Sequence, residues 1–235
     1  MNQISSARNR FRLVYQLYVP GKLRAKVRYV RGRSCYSEHN DVTKSIFIHI
    51  PKTAGSSVSQ ALFSDMRIAH THYSAQEYFD DSAKKYSEFV KFAFVRNPIE
   101  RFVSAYKHLL SPPEWVHQDS HAFSQDHVRP YADINDFVRH LEEDWLVREW
   151  VHFKPQTRFL VVNDEININF IGRFENLDID IKKVAELLGV SGRVAMPHVN
   201  RSKNIVDKSM KLTPGSLRVL KDFYSDDFRK FGYDP

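Results

Sequence analysis

Residues 45–57 read SIFIHIPKTAGSS. The first six residues form a short and nearly continuous apolar run rich in isoleucine, which predicts a strand buried in a parallel sheet. The polar turn after it predicts the start of a helix that runs from Ser56 to about Met66. A strand, a loop and a helix in this order are the building unit of an α/β fold.

The same order recurs later in the chain. Residues 89–95 predict a second buried strand, and residues 98–110 predict a helix that Asn97 caps and Pro98 opens. We predict a further strand at residues 169–174 and helices at 134–141, 178–188 and from Thr213-Pro214 onward. Residues 112–130 and 190–212 are predicted to be long loops, the first of them a surface loop or lid. This alternation predicts an α/β domain with a central parallel sheet.

Length and charge limit the other possibilities. A chain of 235 residues with 42% hydrophobic residues suits one domain with a sizeable core. The single cysteine, Cys35, excludes an internal disulfide and a zinc site built on several thiolates. Residues 1–37 contain nine basic side chains and no acidic one. We therefore predict a basic N-terminal arm over residues 1–43 and a domain over residues 44–235.

The first turn, residues 51–57, has the composition of an anion site. A loop that enters a helix presents backbone N–H groups and the positive end of the helix dipole to a ligand. Lys52 adds a charge, Gly55 permits close approach, and hydroxyls follow at Thr53, Ser56 and Ser57. The lysine precedes the glycine, so this is not a Walker A loop. The alternative is a polar turn with a helix cap.

The second turn adds another cation. Arg96 lies where the second strand is predicted to end, at the sheet edge where α/β proteins bind ligands, and Ser104 lies on the next helix. An arginine near a second turn predicts a ligand with two separated phosphate groups. Taken alone, Ser104 is equally explained as a surface serine of the helix.

Several short sequence motifs, taken in their order along the chain, resemble those of a known enzyme family. They are IPKTAGSS and FVRNPIERFVSAY, each after a predicted strand, followed by PQTRFL at 155–160, GRFENL at 172–177, PHVNRS at 197–202 and FGY at 231–233. From about Ile46 to Tyr233 the sequence resembles the carbohydrate-type sulfotransferases, whose members include heparan sulfate 2-O- and chondroitin sulfotransferases.

The resemblance implies a P-loop, nucleotide-kinase-like fold of three layers and a donor, 3′-phosphoadenosine 5′-phosphosulfate, that leaves as adenosine 3′,5′-bisphosphate. The first loop, with Lys52, Thr53, Ala54, Gly55, Ser56 and Ser57, would hold the 5′-phosphosulfate. Arg96 and Ser104 would hold the 3′-phosphate. The residues expected to close over the nucleotide are Arg173, Asn200, Arg201 and Ser202.

Catalysis requires a base for the acceptor hydroxyl. His70 and His72 resemble the paired histidines of the 2-O-sulfotransferases, and His72 begins the His-x-Ser-Ala pattern of smaller members. We predict that His72, assisted by His70, accepts the proton while Lys52 stabilises the departing phosphate. Glu77 is the next candidate base. We expect His49 to be a packed core residue and expect no metal, since lysine, arginine and helix-end donors can stabilise the charge.

Two other functions remain open from the sequence. A nucleotide-dependent phosphotransferase on the same fold would need a Walker A lysine and an acidic magnesium ligand, and neither is evident. A non-catalytic binder of anionic polymers would act through the basic arm, and deletion of residues 1–37 would separate it from an enzyme. We expect the acceptor to be a glycan or another hydroxyl compound.

The N-terminal arm and the cysteine content bear on where in the cell the protein is expected. Golgi members of the family carry an N-terminal anchor and usually several cysteines, whereas this sequence has one cysteine and no apolar run of the roughly 18 residues that span a bilayer. We therefore expect a cytoplasmic protein of bacterial type without a signal peptide. The arm is expected to be a solvated extension, with peripheral contact to an anionic membrane as the alternative and no nucleic-acid partner.

Overall fold

The helices and strands follow the apolar pattern of the sequence. The computed structural model describes residues 2–63, 72–110, 118–190 and 210–235. In chain order the elements are α1 (Asn2–Tyr18), α2 (Gly21–Val30), α3 (Glu38–Thr43), β1 (Ser45–Ile48), α4 (Gly55–Phe63), α5 (Ala75–Asp81), α6 (Ala83–Glu88), β2 (Val90–Val95), α7 (Pro98–Leu110), α8 (Gln118–His127), α9 (Ile134–His140), α10 (Trp145–Glu149), α11 (Thr157–Leu160), β3 (Val161–Val162), β4 (Glu165–Ile166), β5 (Phe170–Arg173), the 3-10 helix Phe174–Asn176, α12 (Leu177–Leu187), α13 (Pro214–Phe223) and α14 (Ser225–Phe231).

The central sheet is parallel, as predicted. Its strand order is β1-β2-β5, with Ile46 opposite Lys91 and Val95 opposite Arg173. All four residues of β1 are buried, so both faces of the sheet are covered, as the middle layer of an α/β fold requires. Because the three strands run in the same direction, their carboxyl ends lie at one edge. The remaining pair, β3 and β4, is a short antiparallel hairpin.

The described residues form two compact units. The sheet unit comprises residues 20–96 and 156–190, and the helical unit comprises residues 2–19, 97–155 and 210–235. In the sheet unit, α4 and α12 pack on one sheet face around Phe47, Phe92 and Phe94. Gly172 permits this packing, since a Cβ atom there would lie 2.5 Å from the Phe94 ring.

The helical unit has a core of its own. Aromatic rings of α7, α9 and the segment before α11 meet there, with Phe102 and Phe153 at 5.3 Å between ring centroids. Arg101 is fully buried, and its guanidinium donates hydrogen bonds to the carbonyl oxygens of His152 and Lys154. The hydroxyl of Tyr224 donates to the carbonyl oxygen of Phe153 at 2.6 Å. These bonds attach the chain before residue 155 to the core of this unit.

Two helix caps confirm the local predictions. The Asn97 side chain accepts hydrogen bonds from the backbone of Ile99 and Glu100, and α7 begins at Pro98. The Thr213 hydroxyl accepts from the backbone of Ser216, and α13 begins at Pro214.

The predicted loop at residues 112–130 is wrong over its second half. Residues 118–127 form α8, in which Phe123 is 1% exposed and stacks on Trp150 at 3.9 Å between ring centroids. Most residues of this segment are polar, so its sequence resembles a loop even though a few apolar residues pack in the core. Residues 111–117 and 191–209 lie outside the described residues, and so does most of the second predicted loop.

The basic arm contains three helices, α1, α2 and α3, rather than a loosely packed extension. Leu13 of α1 lies in the core of the helical unit, while α2 packs against α5 in the sheet unit. Arg28 of α2 forms an ion pair with Asp81 at 3.1 Å, and Tyr36 is buried. No helix among the described residues is long and apolar enough to cross a membrane. The boundary between an arm of residues 1–43 and a domain of residues 44–235 stays a prediction.

Candidate active site

The loop between β1 and α4 has an unusual backbone. Lys52 and Ala54 adopt left-handed conformations with φ values of 70° and 65°. Such conformations cost non-glycine residues about 1 to 3 kcal/mol each, and they turn neighbouring N–H groups toward one side, as in anion-binding loops. The hydroxyl of Thr53 is buried and donates to the carbonyl oxygen of Ile50 at 2.9 Å. Thr53 therefore holds the loop in shape with its side chain rather than presenting it outward.

There is no room for a side chain at Gly55, the first residue of α4. A Cβ atom on Gly55 would lie 1.9 Å from Nε2 of His49, so the His49 ring covers this glycine. Ser56 is exposed, Ser57 is half-buried, and both lie in the first turn of α4. Glycine is thus required at position 55 by the close approach of an imidazole.

Two cations lie near one another where β1 and β2 end. Lys52 is half-buried; burial, and secondarily the positive charge of Arg96, lower the pKa of its amino group. The Arg96 guanidinium lies over the Phe174 ring at 4.1 Å from the ring centroid. A lysine that loses hydration beside an arginine gains more than a solvated one from binding an anion. The pair suits a phosphate or sulfate group.

The backbone of Arg96 is held by a side chain. The Gln156 amide accepts a hydrogen bond from the Arg96 N–H at 2.9 Å and donates to the Arg96 carbonyl oxygen at 2.8 Å. Gln156 is fully buried. It therefore continues the sheet pairing for one residue beyond the end of β2, which fixes the position from which the arginine extends.

Arg173 brings a third cation to the same edge. It is the last residue of β5, half-buried, and its N–H donates to the Asp180 carboxylate at 2.8 Å. The register that pairs Val95 with Arg173 makes it a neighbour of the Arg96 position. Lys52 and Arg96 thus follow β1 and β2, and Arg173 ends the adjacent parallel strand β5.

His72 lies against β1. Its Nδ1 atom is 2.9 Å from the carbonyl oxygen of His49, and the two imidazole rings are 4.6 Å apart between centroids. A carbonyl oxygen only accepts, so Nδ1 carries the hydrogen and Nε2 carries the lone pair of the neutral ring. This tautomer suits a proton acceptor at Nε2.

The other predicted site residues separate into three groups. Ser104 is half-buried on α7 of the helical unit. Glu77 has a structural role, because its carboxylate accepts hydrogen bonds from the N–H and hydroxyl of Ser74 and closes the capping box of α5. The residues outside the described part of the chain are His70, Asn200, Arg201 and Ser202.

Sequence reasoning missed two residues of this edge. His49 was expected in the core, but it is half-buried with its ring on Gly55 of the loop. The position of His49 two residues before the first loop is the sequence feature that could have indicated its place at this edge. Gln156 follows Pro155 far along the chain, and nothing local indicates that it binds the backbone of Arg96. Among the described residues, no group of three or more His, Cys, Asp or Glu side chains is arranged to hold a metal ion.

Comparison with known proteins identifies the family of the chain. The profile of the sulfotransferase family matches residues 39–234. Carbohydrate sulfotransferase 11 of Mus musculus is 26% identical over 165 residues, which cover 62% of this chain and 47% of the relative. Carbohydrate sulfotransferase 10 is 25% identical in Rattus norvegicus over 174 residues (64% and 48%) and 25% identical in Homo sapiens over 177 residues (64% and 48%).

The chain spans about half the length of the curated relatives it matches. No solved structure matches it significantly. The family profile extends from before β1 to the end of α14 and so includes the loop of Lys52, the arginine after β2 and the arginine that ends β5. On this match, the chain belongs to the sulfotransferase family.

Proposed function

We propose that the protein transfers a sulfuryl group from 3′-phosphoadenosine 5′-phosphosulfate to a hydroxyl of a glycan or related acceptor. The observation that carries the proposal is the position of Lys52, Arg96 and Arg173 at or just after the carboxyl ends of three adjacent strands. The relatives named carbohydrate sulfotransferases support a glycan as acceptor. The alternative of a phosphotransferase is disfavoured by the family match and by the order of lysine and glycine in the loop.

The residues present fit a donor with two anionic ends. The left-handed backbone of Lys52 and Ala54 suits the 5′-phosphosulfate, which would lie against the N–H groups at the start of α4. Arg96, whose backbone is held by Gln156, would pair with the 3′-phosphate. Ser104, Arg173, Asn200, Arg201 and Ser202 remain proposed contacts of the nucleotide.

The transfer itself needs a proton acceptor and a stabilised leaving group. We assign the first role to Nε2 of His72, whose Nδ1 hydrogen is held by the His49 carbonyl oxygen. As the acceptor oxygen bonds to sulfur, the bond from sulfur to the bridging oxygen breaks, and its electron pair leaves with the 5′-phosphate. Lys52 stabilises that charge, and His70 remains a proposed assistant of His72. No metal ion enters this proposal.

Binding of the product nucleotide tests the proposal. Adenosine 3′,5′-bisphosphate should raise the melting temperature and adenosine 5′-phosphate should raise it distinctly less, because only the first ligand has both anionic groups. The bisphosphate effect should persist in a metal chelator. Stabilisation by ATP with magnesium, and none by the bisphosphate, would refute the proposal in favour of a phosphotransferase.

We also propose that α2 contacts an anionic membrane surface. Its inner face is engaged by ion pairs of Arg24 and Arg28 with α5, whereas Lys22 and Lys26 are exposed. Tyr29 and Val30 are each 83% exposed. A helix that presents cations, an aromatic ring and an aliphatic side chain to solvent has the composition of an interfacial helix.

A further inference from the structure

We propose that His49 is a further catalytic residue, whose imidazole Nε2 donates a hydrogen bond to an oxygen of the sulfuryl group during transfer. The inference rests on the proposed function, since it assigns a residue to the donor end of that reaction. Its ligand is therefore a sulfuryl group held between a phosphate and an acceptor hydroxyl.

The orientation of the His49 ring is set by a row of stacked aromatic side chains. Phe92 of β2 stacks on Phe47 of β1 at 5.0 Å and 8° between ring planes. Phe47 in turn stacks on His49 at 5.5 Å and 16°. Since Phe92 is fully buried and Phe47 nearly so, the row extends from the core of the sheet unit to the first loop. The imidazole is thus held by packing at the outer end of this row.

The edge of the ring faces the proposed anion loop. Nε2 and Cδ2 lie 1.9 Å and 2.0 Å from the position that a Cβ atom of Gly55 would occupy. Gly55 is the first residue of α4, so its surroundings include the N–H groups expected to hold the phosphosulfate. A glycine at this position gives the imidazole access to the start of the helix.

The other side of the ring faces the proposed base. The rings of His49 and His72 are 4.6 Å apart between centroids, at 55° to one another. An in-line transfer has the leaving phosphate on one side of sulfur and the acceptor with its base on the other. The His49 ring is close both to the loop proposed for the first and to the histidine proposed for the second. It is therefore beside the group that moves.

Backbone and side chain of His49 can be tested separately. The carbonyl oxygen that holds Nδ1 of His72 remains after any substitution at position 49. Replacement of the ring therefore leaves this backbone contact of His72 in place and removes only the ring contact, and a donor-bearing replacement tests which property of the ring matters. Glutamine preserves an N–H donor on a side chain of similar reach, and leucine preserves much of the volume without a donor.

The experiment compares His49→Leu with His49→Gln in the full chain. Turnover is measured with labelled donor and the best acceptor of a glycan panel, and affinity is measured with adenosine 3′,5′-bisphosphate. We expect His49→Leu to lower kcat about 10- to 150-fold, as for one charge-assisted hydrogen bond, and His49→Gln to recover most of this loss. Bisphosphate affinity should stay within about threefold, because this ligand has no sulfuryl group. The control His140→Gln, at a half-exposed histidine of α9, should match the wild type.

The outcomes distinguish this inference from the function on which it rests. A wild-type protein that neither binds the bisphosphate nor transfers sulfate refutes the proposed function. A wild-type protein that does both, with kcat of His49→Leu within threefold of it, refutes only the role of His49. A variant that weakens bisphosphate binding but keeps kcat at saturation also refutes that role. If His49→Leu does not melt cooperatively, His49→Met, which also lacks a donor, replaces it, and equal turnover of the Met and Gln variants overturns the inference.

Discussion

The positive charge of Arg96 affects the protonation of the Lys52 amino group. Burial and the charge of Arg96 both disfavour the protonated form of Lys52, so its pKa is lowered. A bound anion relieves the repulsion between the two cations. The two side chains nevertheless have different roles in the proposed reaction, because only Lys52 lies on the loop assigned to the leaving phosphate.

Removing Arg96 should therefore lower mainly nucleotide affinity, whereas removing Lys52 should lower mainly kcat. Arg96→Ala loses charge-assisted hydrogen bonds worth roughly 1.5 to 3 kcal/mol, which corresponds to an affinity loss for adenosine 3′,5′-bisphosphate of about 10- to 150-fold. Lys52→Ala should lower kcat beyond any loss of binding, since charge on the leaving phosphate grows in the transition state. Calorimetry and saturation kinetics separate these effects. Equal affinity losses with normal kcat at saturation would remove Lys52 from catalysis.

The proposed base gives a second test at this scale. His72→Ala should lower turnover about a hundred- to ten-thousand-fold while bisphosphate binding stays near normal, because the base acts on the acceptor and not on the nucleotide. The ascending limb of the pH–rate profile should vanish in this variant and persist in the control His140→Ala. His70→Ala should cost less. A fully active His72→Ala enzyme beside an inactive His70→Ala enzyme would reverse the assignment.

At the scale of single elements, α2 shows how a basic segment divides its charges. Arg24 and Arg28 pair with Glu77 and Asp81 of α5, while other bases of residues 20–37 stay exposed. Tyr36, which follows α2, donates its hydroxyl hydrogen bond to the backbone of Tyr78 at 3.0 Å and is buried. Deleting residues 1–37 would therefore remove packing together with charge. Point substitutions on the exposed face are the better test of what the arm binds.

The exposed lysines of α2 should govern membrane binding. Lys22→Ala/Lys26→Ala should weaken sedimentation with phosphatidylserine-containing vesicles about 30-fold, since each base contributes about 1 kcal/mol near an anionic surface. The matched pair Lys84→Ala/Lys182→Ala removes exposed lysines elsewhere in the sheet unit and should have little effect. An equal effect of both pairs, or no sedimentation of the wild type, would contradict the proposal. High salt should abolish most of the binding.

Helix α8 offers a stability test. Phe123→Ala removes a buried ring stacked on Trp150 and should lower the free energy of unfolding by about 3 to 5 kcal/mol. Gln125→Ala, at an exposed position of the same helix, should change it by less than about 0.5 kcal/mol. Denaturant unfolding measures both. A surface lid without packing would give two neutral variants, and that result would argue against α8 as a packed helix.

At the scale of the whole molecule, the parallel topology is what assembles the site. The first loop, Arg96 and Arg173 are far apart in sequence, yet each lies at the carboxyl end of a strand of the same sheet. Ligands of open α/β sheets bind at this edge for the same reason. A donor bound there should protect several separate chain segments at once.

Hydrogen exchange can test this arrangement. Adenosine 3′,5′-bisphosphate should slow amide exchange in residues 50–57, 94–97 and 171–176, because these segments lie at the carboxyl ends of β1, β2 and β5. Residues 161–166, which form the separate hairpin β3–β4, serve as an internal control and should not change. Protection confined to the first loop would show that the other two strand ends do not contact the nucleotide.

Local sequence patterns are enough to predict several helices and strands and the composition of the two loops. The apolar runs before Lys52 and Arg96 predicted β1 and β2, and Asn97-Pro98 and Thr213-Pro214 located two helix starts, because capping and strand burial depend on neighbouring residues. The lysine, glycine and hydroxyls of the first loop predict an anion site from composition and order alone. The family resemblance rests on the same strings.

Contacts between distant residues depend on tertiary packing. Gln156 bonds to the backbone of Arg96, Phe123 of α8 stacks on Trp150, and the ring of His49 covers Gly55 beside His72. No local pattern encodes these contacts, since each joins segments whose approach depends on the packing of the whole unit. Periodicity alone predicts that His49, the half-buried histidine before the loop, is a core residue. Its position at the site follows from the stacked row of Phe92 and Phe47, which exists only once the parallel sheet has formed.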